Sequence, residues 1–193
     1  LMHELNILPK VLPEIASLPM TPVGEAVDRA ANHRDAMESD GRRVALMLSA
    51  MLHNATHSQC EATLDRIGMH KLHGYPVRKR VMEVVPRIPA LTSVAEDRTL
   101  RMLADQTELH LATVAAFAAS GQRGALINLD RSEHLNIARE ALPTLLTGSD
   151  LRKHGVGQGP RMGEILRSVR EAQIDGDVPT RDAAIIWLED YLK

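Results

Sequence analysis

Apolar residues recur at helical spacing along most of the chain. Leu8-Pro9, Leu12-Pro13 and Leu18-Pro19 come first. Each proline biases the residue before it away from helix, so the entry is segmented. Thr21-Pro22 then reads as the N-cap and first position of a helix carrying Val23, Ala26, Val27 and Ala30. Asp40-Gly41 reads as a turn, and Arg43 to Leu52 is so rich in Val, Leu and Met that it predicts a buried helix. Gly74-Tyr75-Pro76 breaks the following helix, Val77 opens another, and Pro86 and Pro89 close it. Ser93 to Ala119 predicts one long or two medium helices with Leu100, Leu103, Leu109, Leu111, Val114 and Phe117 in the core. His110 lies among them and reads as a core or boundary histidine. Gly121 to Gly124 reads as a turn and the best internal boundary, and Leu126 to Leu146 as a further helix with Pro143 as a break.

The last stretch divides into two helices. The first starts at Pro160, carries Met162, Ile165, Leu166 and Val169 at the 3.6-residue period, and stops at Asp175-Gly176. The second follows Thr180, a good N-cap, with Asp182 in its first turn. Its stripe is Ile185, Leu188 and Leu192, widened by Trp187 and Tyr191. Ala125 to Leu129 is the only run whose period is ambiguous. The pattern therefore predicts an all-α protein: a helical bundle-like body over 1–120 and a C-terminal helical tail over 121–193, without significant sheet.

Composition narrows this further. Aromatic residues make up only 2% of the chain, so the core must be Leu, Ile, Val, Met and Ala, which favours helices over sheets. A net charge of −2 excludes a global polycation, so contact with nucleic acid must come from local patches. The single cysteine, Cys60, excludes an intramolecular disulfide framework and suits a reducing compartment. No apolar run is long enough to span a bilayer and no signal-peptide pattern appears, so no membrane partner and a cytoplasmic location are expected.

Two local patches stand out. From Arg66 to Arg87, Arg66, Lys71, Arg78, Lys79, Arg80 and Arg87 face one acid, Glu83, with His70 and His73 nearby. Between Leu151 and Arg170, Arg152, Lys153, Arg161, Arg167 and Arg170 face one acid, Glu164, around the glycines 155, 157 and 159. Exposed N–H groups at a helix start beside positive charge suit a phosphate, and a basic helix start with one tyrosine can grip an RNA backbone and stack on a base. The plain alternative for each is a solvated helix face or loop. Arg78, Lys79, Arg80, Arg152, Lys153, Gly157, Gly159, Arg161 and Arg167 are the candidate RNA-binding residues. Asp97, Asp105 and Glu108 are acids of the kind used in acid–base catalysis, but no partner motif accompanies them.

The order Asp150-Leu151, Gly155, Gly159-Pro160, Gly163-Glu164-Ile165-Leu166, Glu171-Ala172-Gln173, Asp175-Gly176, Thr180-Arg181 and Trp187-Leu188 resembles the C-terminal end of the bacterial tRNA nucleotidyltransferases, the CCA-adding enzyme and poly(A) polymerase family. The resemblance is closest over 148–193, looser over 44–147 and faint over 1–43. It implies that the complete protein transfers AMP or CMP from ATP or CTP to an RNA 3′ end, with Mg ions. It also implies that this work is done in an N-terminal catalytic head. The start at Leu1-Met2 fits a fragment cut after that head. No Gly-Ser followed by Asp-x-Asp occurs, and Gly148-Ser149-Asp150 lacks the second aspartate. The chain alone is thus expected to be catalytically inactive, with no cofactor of its own. Its expected partners are tRNA or another structured RNA, and its own head.

At Leu52-His53-Asn54 the chain resembles the Leu-His-Asp of that family and of the wider HD phosphohydrolases, where the His and Asp bind a divalent metal. Here an amide replaces the carboxylate, and an amide is a poor ligand for a dication. His53, Asn54 and His57, with His33 upstream, therefore read as a degenerate site without metal. Two alternatives remain: a metal phosphohydrolase of the HD kind, which needs the missing aspartate, and a non-catalytic structural or dimerisation module.

Overall fold

A computed structural model describes residues 7–193; Leu1 and Met2, where the resemblance places the cut, lie outside the described residues. The architecture is all-α. Among the described residues no strand forms, and an isolated β-bridge joins Leu72 to Tyr75. The chain divides into two compact units. The first runs to Ala95 and resumes over Leu103–Ala141; the second comprises Glu96–Met102 and Leu142–Lys193.

In the first unit the prolines make short helices: α1 is Leu8–Val11 and α2 Pro13–Ala16, each with proline in its first turn, where a missing N–H costs nothing. Helix α3, Met20–Arg34, begins just before the expected Thr21 cap, because Pro19 already holds the extended N-cap conformation. Helix α4 is Asp40–Met51, so Asp40-Gly41 is a helix start and not a turn. Ser39 Oγ caps it by accepting from the Arg42 N–H at 3.3 Å. Glycine is needed at 41 because a Cβ there would lie 2.5 Å from the Tyr75 Cβ. Helix α5, His57–Arg66, opens with a Thr56–Gln59 capping box. Helix α6 is Val77–Val84. Pro86 does not simply end it: it enters a 3₁₀ turn, Val85–Arg87, and Pro89 opens α7, Ile88–Leu91.

Helix α8, Asp97–Ala104, and helix α9, Leu109–Ser120, resolve the 93–119 stretch as two helices. Helix α9 is the centre of the first unit. Leu109, Leu111, Ala112, Ala115, Ala116 and Ala118 are fully buried on it, and its alanines let α3, α4 and α10 (Arg123–His134) approach closely. Phe117 meets the edge of His33 at 5.1 Å.

The boundary read at Gly121 lies inside this unit, for a specific reason. Asn128 of α10 is wholly buried and donates to the Leu91 and Ser93 carbonyls (3.0 and 2.7 Å) while accepting from the Ala95 N–H at 2.8 Å. That side chain fixes α10 to the 91–95 segment. The helix read as running to Leu146 stops at His134. Asn136 turns through φ 56°, which asparagine tolerates, and the Ala138 carbonyl then accepts the His110 N–H at 2.7 Å. That bond satisfies one of the orphan donors of α9's first turn.

The second unit contains α11 (Gly148–Lys153), α12 (Pro160–Asp175) and α13 (Arg181–Tyr191). Leu145, Leu151, Ile165, Val169, Ala184 and Leu188 form its core, with Met162, Leu166 and Trp187 packed on the edge. Helix α12 starts at Pro160, and Gly176 closes it at φ 95°, a left-handed cap. Arg98 adds an ion pair to Asp175 at 2.5 Å. Thr180 Oγ1 caps α13 by accepting from Ala183 N–H at 3.2 Å.

Candidate nucleic-acid interface

The two basic stretches differ in what surrounds them. In the first, Arg78 pairs with Asp65 and lies 3.7 Å from Glu61. Arg80 donates to Glu83 at 2.9 Å, and Lys79 sits 3.8 Å from the same carboxylate. Arg66 is bound by Glu14 at 2.8 Å, which holds that carboxyl below the usual range. Arg87 donates to the Glu83 carbonyl at 2.6 Å and to Gln106. Glu61 and Asp65 sit just before the basic stretch in sequence, and Glu14 is remote from it. Folding therefore neutralises most of this stretch; Lys71 stays exposed without an ion pair among the described residues.

Behind it lies a polar cluster that the sequence did not announce. Glu108, 7% exposed, accepts from Arg42 Nε at 2.6 Å and from the Tyr75 hydroxyl at 2.9 Å. Arg80 Nε lies 3.9 Å from the same carboxylate. The Arg42 guanidinium also stands over the Tyr75 ring at 5.4 Å. Burial and the Glu108 charge push the Tyr75 phenol well above its ordinary range. Arg42 and Arg139 both reach Glu38. Each cation here has a carboxylate, so the cluster is a fastening inside the first unit. Beside it, the buried His110 has no partner for Nδ1, and burial lowers its pKa.

The tail is arranged differently. Asp150 is built in: its carboxylate accepts from Thr147 N–H (2.9 Å), Thr147 Oγ1 (2.7 Å) and Arg181 (2.6 Å). Arg181 also donates to the Leu145 carbonyl at 3.1 Å, tying α13 to α11. Gln173 is buried between Arg170 and the Pro143 carbonyl. These residues of the motif have structural tasks. Others do not. Arg152, Lys153 and Arg161 are exposed and make no ion pair or hydrogen bond among the described residues, and Arg167 reaches only the Gly163 carbonyl at 3.4 Å. A Cβ at Gly157, Gly159 or Gly163 would meet nothing within 4 Å. The end of α11, the glycine loop after it and the start of α12 thus carry cations and open backbone without a use for either among the described residues.

The capping and the arginine partner hold the Asp150 carboxyl down to about 2, the Thr147 hydroxyl contributing most. Its folded value is depressed, so the stabilisation is complete above the unfolded aspartate value and is lost as pH falls through the folded one. The second unit should therefore weaken between about pH 4 and pH 2. Asp150→Asn should flatten that limb, read from the fluorescence of Trp187, the only tryptophan. A limb of unchanged slope would remove Asp150 from the account.

His53 and His57 do come together, lining a pocket beside Cys60. His33 does not line it, its ring being set against Phe117. Among the described residues no three His, Cys, Asp or Glu side chains gather in a way that could hold a metal ion. Burial pushes the Cys60 thiol up to about 11, which keeps it protonated and unreactive. Of the three acids read as candidates for acid–base work, Glu108 is committed to Arg42 and Tyr75. Among the described residues no helix is long and apolar enough to cross a membrane. Comparison with family models, curated proteins and solved structures returns no match for this chain.

Proposed function

We propose that this chain is the RNA-recognition part of a tRNA nucleotidyltransferase or poly(A) polymerase relative, and that its second unit holds RNA through the backbone. The observation that carries this reading is the surplus around the α11–α12 loop: Arg152 and Lys153 at the end of α11 and Arg161 at the start of α12, their side chains without partners among the described residues, beside glycines with open space around them. Unpaired exposed guanidinium and ammonium groups are what phosphate contacts require, and such contacts position an RNA without reading its bases. The start of α12 adds N–H groups to the same loop. The resemblance over 148–193 supplies the class of partner, tRNA or another structured RNA, and the transfer chemistry, which belongs to a head carrying Mg and ATP or CTP. Arg78, Lys79 and Arg80 contribute less in this reading, because their charge is already answered by Asp65, Glu61 and Glu83.

The test is tRNA affinity measured against salt. Arg152→Ala/Lys153→Ala/Arg161→Ala should lower the slope of log K on log salt by roughly one unit for each phosphate left without its cation. It should weaken different structured RNAs alike and leave helical content unchanged. Arg78→Ala/Lys79→Ala/Arg80→Ala should keep the slope. If the tail variant binds with the parent's affinity and slope, the tail does not touch RNA. The chain is then a structural or dimerisation module.

A further inference from the structure

The first unit contains a pocket with no task in RNA binding. It lies where α4 ends and α5 begins, has a volume of about 200 Å³, and is walled by Ala55, Met82, Val85, Pro86 and Pro89 with the buried Cys60, while His57, its side chain 73% exposed, stands at the solvent side. His53 is the polar group whose chemistry the structure fixes. Its Nδ1 lies 2.8 Å from the Ala50 carbonyl. A carbonyl can only accept, so in the neutral ring Nδ1 carries the proton and Nε2 is left as an acceptor. Nε2 has no protein partner and is not among the buried orphan atoms, so solvent reaches it.

We infer that this pocket binds a small planar ring carrying a single hydrogen-bond donor, such as an indole, with the donor on His53 Nε2. Size sets the upper limit: an apolar cavity of about 150 Å³ holds benzene in a protein core, so this one takes a ring somewhat larger. Polarity decides between rings. A nucleobase brings several donors and acceptors on its edges; a wall of valine, proline, methionine and thiol answers almost none of them, and His57, largely in solvent, answers one at most. Each edge group left unanswered costs about tenfold or more in affinity. An indole brings one N–H and an otherwise apolar body, which matches the His53 acceptor in a wall that is apolar away from the exposed His57. The same lining disfavours a cation, since the pocket offers no carboxylate.

The experiment uses the whole chain at about pH 8, with methionine methyl groups labelled for NMR. Met82 lines the pocket, and its methyl signal, assigned by Met82→Leu, localises binding. Indole should shift that signal saturably. Benzofuran, the same shape with a ring oxygen in place of N–H, should bind at least about tenfold more weakly, since its oxygen faces an acceptor. His53→Leu should bring the two ligands to within about twofold, because the bond that tells them apart is gone. Ala55→Phe should abolish both. No shift of the Met82 methyl up to the solubility limit of indole overturns the proposal. So does equal binding of indole and benzofuran by the parent chain, which needs no variant to fold. Adenine binding as tightly as indole would overturn it in favour of a nucleobase site.

Discussion

Replacing Glu108 by alanine should destabilise the first unit by about 3 kcal/mol, the lower end of what removing one partner of a buried ion pair costs. The lower end applies because the Arg42 side chain keeps 24% exposure and a second carboxylate, Glu38, at 3.0 Å. The substitution takes away the acceptor of the Arg42 Nε bond at 2.6 Å and of the Tyr75 hydroxyl at 2.9 Å. The phenol is left with no acceptor in a half-buried site. Glu108→Gln keeps the shape and one acceptor but not the charge, and should cost about 1–2 kcal/mol. The measurement is urea unfolding followed by far-ultraviolet circular dichroism. A loss below about 1 kcal/mol for the alanine variant would mean that the cluster is not a fastening.

The second unit should be more sensitive still to its core. Leu151 is fully buried and stands at the join of α11 with the α12–α13 pair. Leu151→Ala should cost about 2–5 kcal/mol through lost transfer energy and the cavity left behind. The upper part of that range is expected, because the core is small and few neighbours can move in to fill the gap. Trp187 packs on that core and is the only tryptophan, so its fluorescence follows this unit. An unfolding curve within about 0.5 kcal/mol of the parent would show that the unit's stability comes from elsewhere.

Local chemistry was the part of the fold that could be read in the residues. Pro160, Asp175-Gly176 and Thr180 set the bounds of α12 and α13 by rules that need no tertiary partner. The break at Gly74-Tyr75-Pro76 is of the same kind. What could not be read depends on distant contacts. Gly41 looks like a turn residue until the Tyr75 ring is seen packed on it. Asn128 looks like an ordinary helical residue, yet it binds three backbone groups from 91–95 and carries α10 into the first unit. The candidate site divides along the same line. A count of charges along the chain could not show that Arg78 and Arg80 meet acids from α5 and α6, or that the side chains of Arg152 and Lys153 meet none among the described residues. Glu108 read as a candidate catalytic acid and Arg181 as a motif residue; their structural tasks were hidden because their partners, Arg42 and Asp150, lie far away in sequence.

Gly163 sits in the first turns of a sixteen-residue helix, on its exposed side, with nothing within 4 Å of where a methyl would go. Alanine there would make α12 more stable by about 1 kcal/mol. A library selected only for resistance to heat should therefore drift away from glycine at this residue, while, if the tail holds RNA as proposed, one selected for that grip should keep it. A methyl would stand between the helix backbone and any strand lying along it, beside Arg167. Stability and grip make opposite demands on one position, and it sits where the most tempting stabilising substitution in the tail would be made.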